Sequence, residues 1–493
     1  MNPKFNLHPR RIGQALVAVL LAGLIVYGAV GRASSHRAAP AGPADTGWKT
    51  QGAAGGHVKV RSNLSQTKVV QGSDGLVYLE VDLEAPEASD LSRARRPTDF
   101  VIVLDRSGSM ADYRKMEFAQ KAIGSLINQL KTGDRFALVD FDSVVETPIP
   151  LTEVSESAKD RFRGEVLRIT PRDGTNLGGG LIAGIDAIQS AGRRTGHPEG
   201  TASRAQRMIL LSDGLANEGI TDTAELGRIA ARAVSGEFAL STIGVGLDFN
   251  EDLMASIADH GTGNYTFLED LSSLDKVLAQ EFYGASRIYA SQIKVKLDLS
   301  SGIEAVEASG YPIEKEAGVA VIRPGHLYAG QKKTLFVTLK LPTDALYTKP
   351  LGSATVSYAV KEQGYTVPLF GSDLKVACLP QEKREEATAS IVPGVYKEAW
   401  TKNNYGRLLK DNADKVRSGD REGALGTISA HRAKLEEAYA AAPVPEMKAQ
   451  LDDLKKMEDE VRDAFNGPDA SVKSKRLSKG YQYQGIQQQR QSN

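Results

Sequence analysis

The chain has 493 residues, and its 61 lysines and arginines are balanced by 61 aspartates and glutamates. With 25% charged and 41% hydrophobic residues it has the composition of a folded globular protein, long enough for three domains at about 150 residues each. Zero net charge offers no basic surface for a polyanion, so no nucleic-acid partner is expected. The single cysteine, Cys378, rules out an intrachain disulfide and a thiolate zinc site.

At the amino terminus Lys4, Arg10 and Arg11 precede an apolar run, residues 12–31, in which Gln14 is the one polar side chain. About 20 such residues cross a bilayer. Residues 1–31 therefore read as a transmembrane anchor or as a signal peptide cut near Ala29-Val30-Gly31 or Gly31-Arg32-Ala33. In both cases the positive residues stay in the cytoplasm and everything after Arg32 is exported. The expected location is membrane-anchored with the bulk periplasmic or extracellular, or secreted after cleavage. Residues 32–56 are small, polar and rich in Ala, Gly and Pro, and read as a flexible linker.

Residues 57–95 open with two alternating segments separated by the turn signal GSDG, a two-strand pattern. Similar strands return over 288–378, as in SQIKVKLDLS, KKTLFVTLKLP and SATVSYAVKE. Two strands are too few to fold alone, so both regions are expected to build one β-sandwich with residues 98–285 inserted between them.

Within 98–285 the pattern changes. TDFVIVLD and RMILLSD read as fully buried strands, and KMEFAQKAIGSLINQL reads as an amphipathic helix. Strand–helix alternation implies a doubly wound, mostly parallel α/β sheet with helices on both faces. Residues 382–466 read as helical. There Met447, Leu451, Leu454, Met457, Val461 and Phe465 form a stripe that packs in a small bundle. Residues 467–493 are basic and Gln-rich and read as a disordered tail.

The chemistry-bearing residues lie in the inserted region. Asp105, Ser107 and Ser109 stand in DRSGS at the carboxyl end of the first buried strand. Thr175 sits in RDGTNLGGG, where a loop opens a helix, and Asp213 ends RMILLSD. In a doubly wound sheet the crevice lies beyond the carboxyl strand ends, where strand order reverses. If those two strands are neighbours there, two carboxylates and three hydroxyls converge into an all-oxygen site for a hard divalent cation.

Here the sequence resembles the von Willebrand factor type A (VWA) domain over roughly residues 98–285. DRSGS matches that family's DxSxS motif, and Thr175 and Asp213 match the remaining ligands of its metal-ion-dependent adhesion site (MIDAS). The resemblance implies Mg²⁺ or Mn²⁺ touched by Ser107, Ser109 and sometimes Thr175, with Asp105 and Asp213 acting largely through water. It also implies a non-enzymatic, adhesion-type module in which a partner protein's Asp or Glu completes the metal's octahedron. Integrin β subunits and bacterial anchored VWA proteins show a similar insertion. The region after 285 looks like that of bacterial proteins resembling inter-alpha-trypsin inhibitor heavy chains.

Two alternatives stand beside this reading. One is a Mg²⁺-dependent phosphoryl-transfer enzyme with Asp105 as nucleophile. It lacks the second Asp two residues on, where Ser107 stands, and no suitably placed lysine is evident. The other is an assembly scaffold in which the metal only stabilises the domain. Asp140 and Asp142 read as solvent-facing. Arg193, Arg194 and Arg204 flank a solvated Gly-rich insertion at the opposite end of the sheet, and the glycines of GTNLGGG permit close helix packing.

Overall fold

The computed structural model describes residues 57–87, 97–194, 204–234, 238–285, 287–360, 363–441 and 445–490. The apolar run at 12–31, the linker at 32–56 and the loop between Arg194 and Arg204 lie outside the described residues. Among the described residues, no helix is long and apolar enough to cross a membrane.

The chain begins with β1 (Lys59–Leu64), β2 (Lys68–Val70) and β3 (Leu76–Glu84). The inserted region carries β4 (Thr98–Asp105), β5 (Arg135–Phe141), β6 (Val145–Glu153), β7 (Ala205–Ser212), β8 (Phe238–Val245) and β9 (Thr262–Leu268). These make one six-stranded sheet in the order β6-β5-β4-β7-β8-β9. Every pairing is parallel except that of β6 with β5. The chain moves outward from β4 to one side and then restarts at β7 on the other. The carboxyl end of β4 is therefore the topological switch point. All eight residues of β4 are buried, as a strand covered on both faces requires.

The covering helices are α1 (Lys115–Gln129), α2 (Glu156–Arg168), α3 (Leu177–Arg194), α4 (Thr223–Ala233), α5 (Glu251–His260) and α6 (Leu274–Ala285). Ser155, Asp222 and Asn250 cap α2, α4 and α5 by accepting a backbone N–H with their side chains. α3 lies close on the sheet because glycine leaves room. A methyl group on Gly180 would stand 2.5 Å from Phe141 Cδ1, and one on Gly184 2.4 Å from Val103 Cγ2. Apolar cores lie on both faces, one around Ile102, Leu104 and Ile123, the other around Val101, Val103 and Leu181.

After the inserted region come β10 (Ile288–Leu299), β11 (Glu304–Ala308), β12 (Ile313–Glu316), β13 (Val319–Ile322), β14 (Leu327–Tyr328), β15 (Lys332–Lys340), β16 (Tyr347–Pro350), β17 (Gly352–Val360), β18 (Gln363–Phe370) and β19 (Lys375–Leu379). β3 pairs with β15 along its whole length, from Leu76↔Lys340 to Glu84↔Lys332. The first strands thus join a sheet β1-β3-β15-β11, completed from the other side of the insertion. This sheet shares one apolar core with the sheet β12-β13-β10-β17-β18, and β16-β19-β2 closes an end. The architecture is a doubly wound, mostly parallel α/β domain inserted in a β-sandwich and followed by helices.

Those helices are α7 (Arg384–Ala389), α8 (Pro393–Ala399), α9 (Tyr405–Arg417), α10 (Arg421–Ala441), α11 (Pro445–Ala464) and α12 (Ala470–Arg490). The stripe on α11 is buried at Met447, Leu454, Met457 and Val461, which pack with Leu408, Leu409 and Ile428. One expectation is overturned here. The segment read as a disordered tail is a helix over Ala470–Arg490, with Lys479, Tyr481, Gln482 and Ile486 buried. Its apolar content is too low to advertise a core face. It is held by α9 and α11 on one side and by ionic partners on the inserted domain on the other: Lys475–Asp248, Arg476–Glu269 and Lys479–Glu251.

Candidate metal centre

The switch-point edge gathers the five predicted side chains. Asp105, wholly buried, ends β4. Its Oδ1 accepts the Ser107 backbone N–H (2.8 Å), and its Oδ2 accepts the Ser212 hydroxyl (2.5 Å). Ser107 Oγ stands 3.2 Å from Ser109 Oγ, and Ser109 Oγ donates to Asp213 Oδ1 at 2.8 Å. Thr175, also buried, approaches from the third loop. A methyl group on Gly214 would lie 3.4 Å from Thr175 Oγ1 and 3.6 Å from Asp105 Oδ2, so both oxygens flank one small space.

The backbone laces these loops together. Arg172 N–H donates to Arg106 O (2.7 Å), Thr175 N–H to Asn217 Oδ1 (2.9 Å), and Asn176 N–H to Asp142 O (2.8 Å).

These separations suit a hard cation. Neighbouring oxygens about 2.1 Å from an octahedral Mg²⁺ are about 3.0 Å apart. The observed oxygen–oxygen distances, 3.2 and 2.8 Å, bracket that figure, so the hydroxyls are not splayed. Burial pushes the Asp105 carboxyl up to about 6 against the opposing hydrogen bonds from Ser212 and Ser107, and the Asp213 charge adds to the rise. A bound cation reverses that balance. Among the described residues, no group of three or more His, Cys, Asp or Glu side chains is placed to hold a metal. The site's donor set depends on its hydroxyls.

The structure corrects two sequence expectations here. Asp140 and Asp142 do not face solvent; both are buried against Arg106. The guanidinium stands 3.2 Å from Asp140 and 3.0 Å from Asp142, and donates to Glu146 at 3.0 Å. Burial pushes the Asp140 carboxyl up to about 6, and Arg106 pulls against that rise. Arg106, the first variable position of DRSGS, thus pins the motif loop to the end of β5.

A lysine does reach the site. Lys115, the first residue of α1, pairs with Asp213 and donates to Ser109 O at 3.3 Å. A cation at a helix amino terminus opposes the macrodipole, so its place there depends on the adjoining carboxylate. That conflict was its one sequence signal. Ser212 and Asn217 also escaped the motif. Ser212 donates its hydroxyl to Asp105, and Asn217 accepts the Thr175 N–H.

The same geometry disfavours Asp105 as a nucleophile. Neither carboxylate oxygen is free, the side chain is inaccessible, and Ser107 occupies the acid–base position. At the far end of the sheet, Arg204 donates to Asp99 (2.7 Å) and to Gly133 O (2.6 Å).

Residues 99–280 match the sequence profile of the von Willebrand factor type A domain. Inter-alpha-trypsin inhibitor heavy chain H1 of Mesocricetus auratus is 35% identical over 158 residues, 31% of this chain and 16% of that protein. The Escherichia coli K12 protein YfbK is 29% identical over 223 residues, 45% of this chain and 37% of that protein. The chain thus spans well under half of either relative. Among solved structures, a von Willebrand factor type A protein from Catenulispora acidiphila shares the fold with a TM-score of 0.61 at 16% identity, over 89% of this chain and 98% of that one.

Proposed function

We propose that this chain, whose residues 99–280 match the von Willebrand factor type A profile, is a non-enzymatic, metal-dependent protein-binding module whose metal, Mg²⁺ or Mn²⁺, sits in a MIDAS. The observation that carries the reading is the run of contacts in which Asp105 Oδ1 accepts the Ser107 backbone N–H, Ser107 Oγ meets Ser109 Oγ and Ser109 Oγ donates to Asp213, with Thr175 beside it. Ser107, Ser109 and Thr175 offer neutral oxygens. Asp105 and Asp213 balance the cation's charge without neutralising it fully, and Ser212 and Asn217 fix the two flanking loops. The metal, when bound, supplies a Lewis-acidic position that favours a partner's Asp or Glu carboxylate.

Apolar side chains on the neighbouring loops add contact area for such a partner: Tyr113 is 91% exposed, Val144 57% and Leu215 56%. Tyr113 is held out by a loop with consecutive non-glycine residues in the left-handed region, Tyr113 at φ 52° and Arg114 at φ 59°. For location, the basic residues before the apolar run at 12–31 support an anchored chain with its bulk outside the cytoplasmic membrane, or a secreted one after cleavage.

The test is binding of an Asp- or Glu-presenting protein in Mg²⁺, in Mn²⁺ and in EDTA, with Ser109→Ala alongside. The expected result is loss of binding in EDTA and at least a tenfold loss of metal affinity in the variant, since even residues behind a metal's ligands are worth about 10- to 100-fold. Binding indifferent to both treatments overturns the proposal.

A further inference from the structure

A cavity of about 320 Å³ opens where three parts of the fold meet. Its walls come from the start of β9, from the segment 324–333 of the sandwich, and from the end of α12. The lining includes Lys333, Arg490 and His326, and no aspartate or glutamate.

Arg490 carries its own counter-charge, because Asp259 takes both terminal nitrogens at 2.7 and 2.9 Å. Lys333 has none. Its ammonium donates to two backbone carbonyls, Pro324 O (2.6 Å) and His326 O (2.9 Å). Burial, together with the like charge of Arg490, pushes the amine down to about 8. A half-buried cation with carbonyl dipoles as its hydrogen-bond partners keeps an uncompensated charge, and an anion in the cavity would compensate it.

The wall itself is strained. Thr262 is β-branched and sits at φ 59°, and its hydroxyl is tied to Phe238 O at 3.1 Å. For such a residue the left-handed region is an outlier, and outliers of this kind persist where the surroundings over-determine them, often at ligand sites. Gly325, at φ 78°, faces it so closely that a methyl group there would stand 3.0 Å from Thr262 O.

We propose that this interdomain cavity binds a small oxyanion bearing a carboxylate or phosphate group, with Lys333 Nζ as its charge partner. The volume is at the low end for small-molecule sites, roughly 300–1,000 Å³, so the ligand is of the size of phosphate or citrate and not a peptide. The site is separate from the metal centre and stands whether or not that reading holds.

The test is titration calorimetry on the full chain in EDTA at fixed ionic strength, with inorganic phosphate and citrate in separate arms and chloride as control. Saturable heats are required, because phosphate and citrate also stabilise proteins without binding. The expected result is saturation by at least one oxyanion with Kd below about 1 mM. The arm that saturates identifies phosphate or carboxylate chemistry. Lys333→Met weakens this binding at least tenfold, and Lys333→Arg retains it. Gln331→Glu, which adds a carboxylate to the wall and serves if Lys333→Met does not fold, weakens it as well. No saturation in the unmodified chain, or saturation unchanged in the substituted chains, overturns the proposal.

Discussion

The inserted domain uses charge differently at its switch-point edge and on the flank covered by α12. At the edge, Asp105, Asp213, Arg106, Asp140 and Asp142 all sit on or next to the ends of buried strands, and each is placed by backbone that the sheet has already fixed. On the flank, Lys475, Arg476, Lys479 and Arg490 belong to a helix without a strong apolar face, and their partners Asp248, Glu269, Glu251 and Asp259 lie more than 200 residues earlier. The first arrangement is made by the domain's own core. The second exists only when two separately formed surfaces meet. Charge at the edge is therefore preorganised, and charge on the flank is part of what holds the molecule together.

The sharpest way to break that contrast is Lys479→Met. The ammonium is buried, donates to Glu251 (2.6 Å) and Phe249 O (2.7 Å), and stands 4.1 Å over the Phe249 ring. Removing one partner of a buried pair leaves the other uncompensated, at about 3–5 kcal/mol. Arg417 also reaches Glu251 at 2.7 Å, so the expected loss is at the lower end, about 3 kcal/mol. Urea unfolding checks the magnitude. Hydrogen exchange should show α12 and the start of α5 losing protection while β4 and the switch-point edge keep theirs. Uniform loss of protection would mean that the two regions are not separable.

The same contrast explains what could be read in the chain before its structure. The sheet was legible because strands such as TDFVIVLD carry an unbroken apolar stretch, FVIVL, that has few other homes, and the convergence of Asp105, Ser107, Ser109, Thr175 and Asp213 was legible because each follows such a run or opens a helix. The sandwich was legible as strands, although β18 and β19 were not marked out, because their alternation is interrupted by Pro368, Gly371 and the short turn between them. Burial of Asp140 and Asp142 was not legible. An acidic residue at a strand end normally meets water, and the buried Arg106, just past the end of the preceding strand β4, offsets the cost of the alternative. The α12 helix was hidden for the reason already given: polar complementarity between domains leaves no period in either partner's sequence.

A smaller effect separates charge held in place from charge kept out. His431, in the helical bundle, stacks edge-on against Trp400 with ring centroids 4.9 Å apart. Burial, helped by the nearby Arg407 and Lys434, pushes the imidazole down to about 4 from its ordinary 6.5. Below pH 6.5 the unfolded chain takes a proton that the folded bundle refuses. The contribution is full above pH 6.5 and is lost as pH falls toward 4. Allowing for partial exposure, the loss is about 2 kcal/mol. Unfolding followed by Trp400 fluorescence in a Trp48→Phe background, at pH 7 and pH 4.5, should show this loss, and His431→Phe should reduce it. Equal acid sensitivity in both proteins would place the titration elsewhere.

The smallest effect probes the edge itself. Lys115 pairs with Asp213, a carboxylate with no solvent exposure, and so brings a positive charge to the place where a divalent cation needs a negative one. Lys115→Met frees Asp213 for the metal and removes the repulsion, so Mg²⁺ binding measured by calorimetry should tighten about tenfold, equivalent to about 1.4 kcal/mol. Lys115→Arg keeps the charge and should leave the affinity within a few-fold of the original. The sign carries the information. If the methionine substitution weakens metal binding instead, the lysine serves to aim Asp213, and the metal edge would then depend on a delivered charge as the α12 flank does.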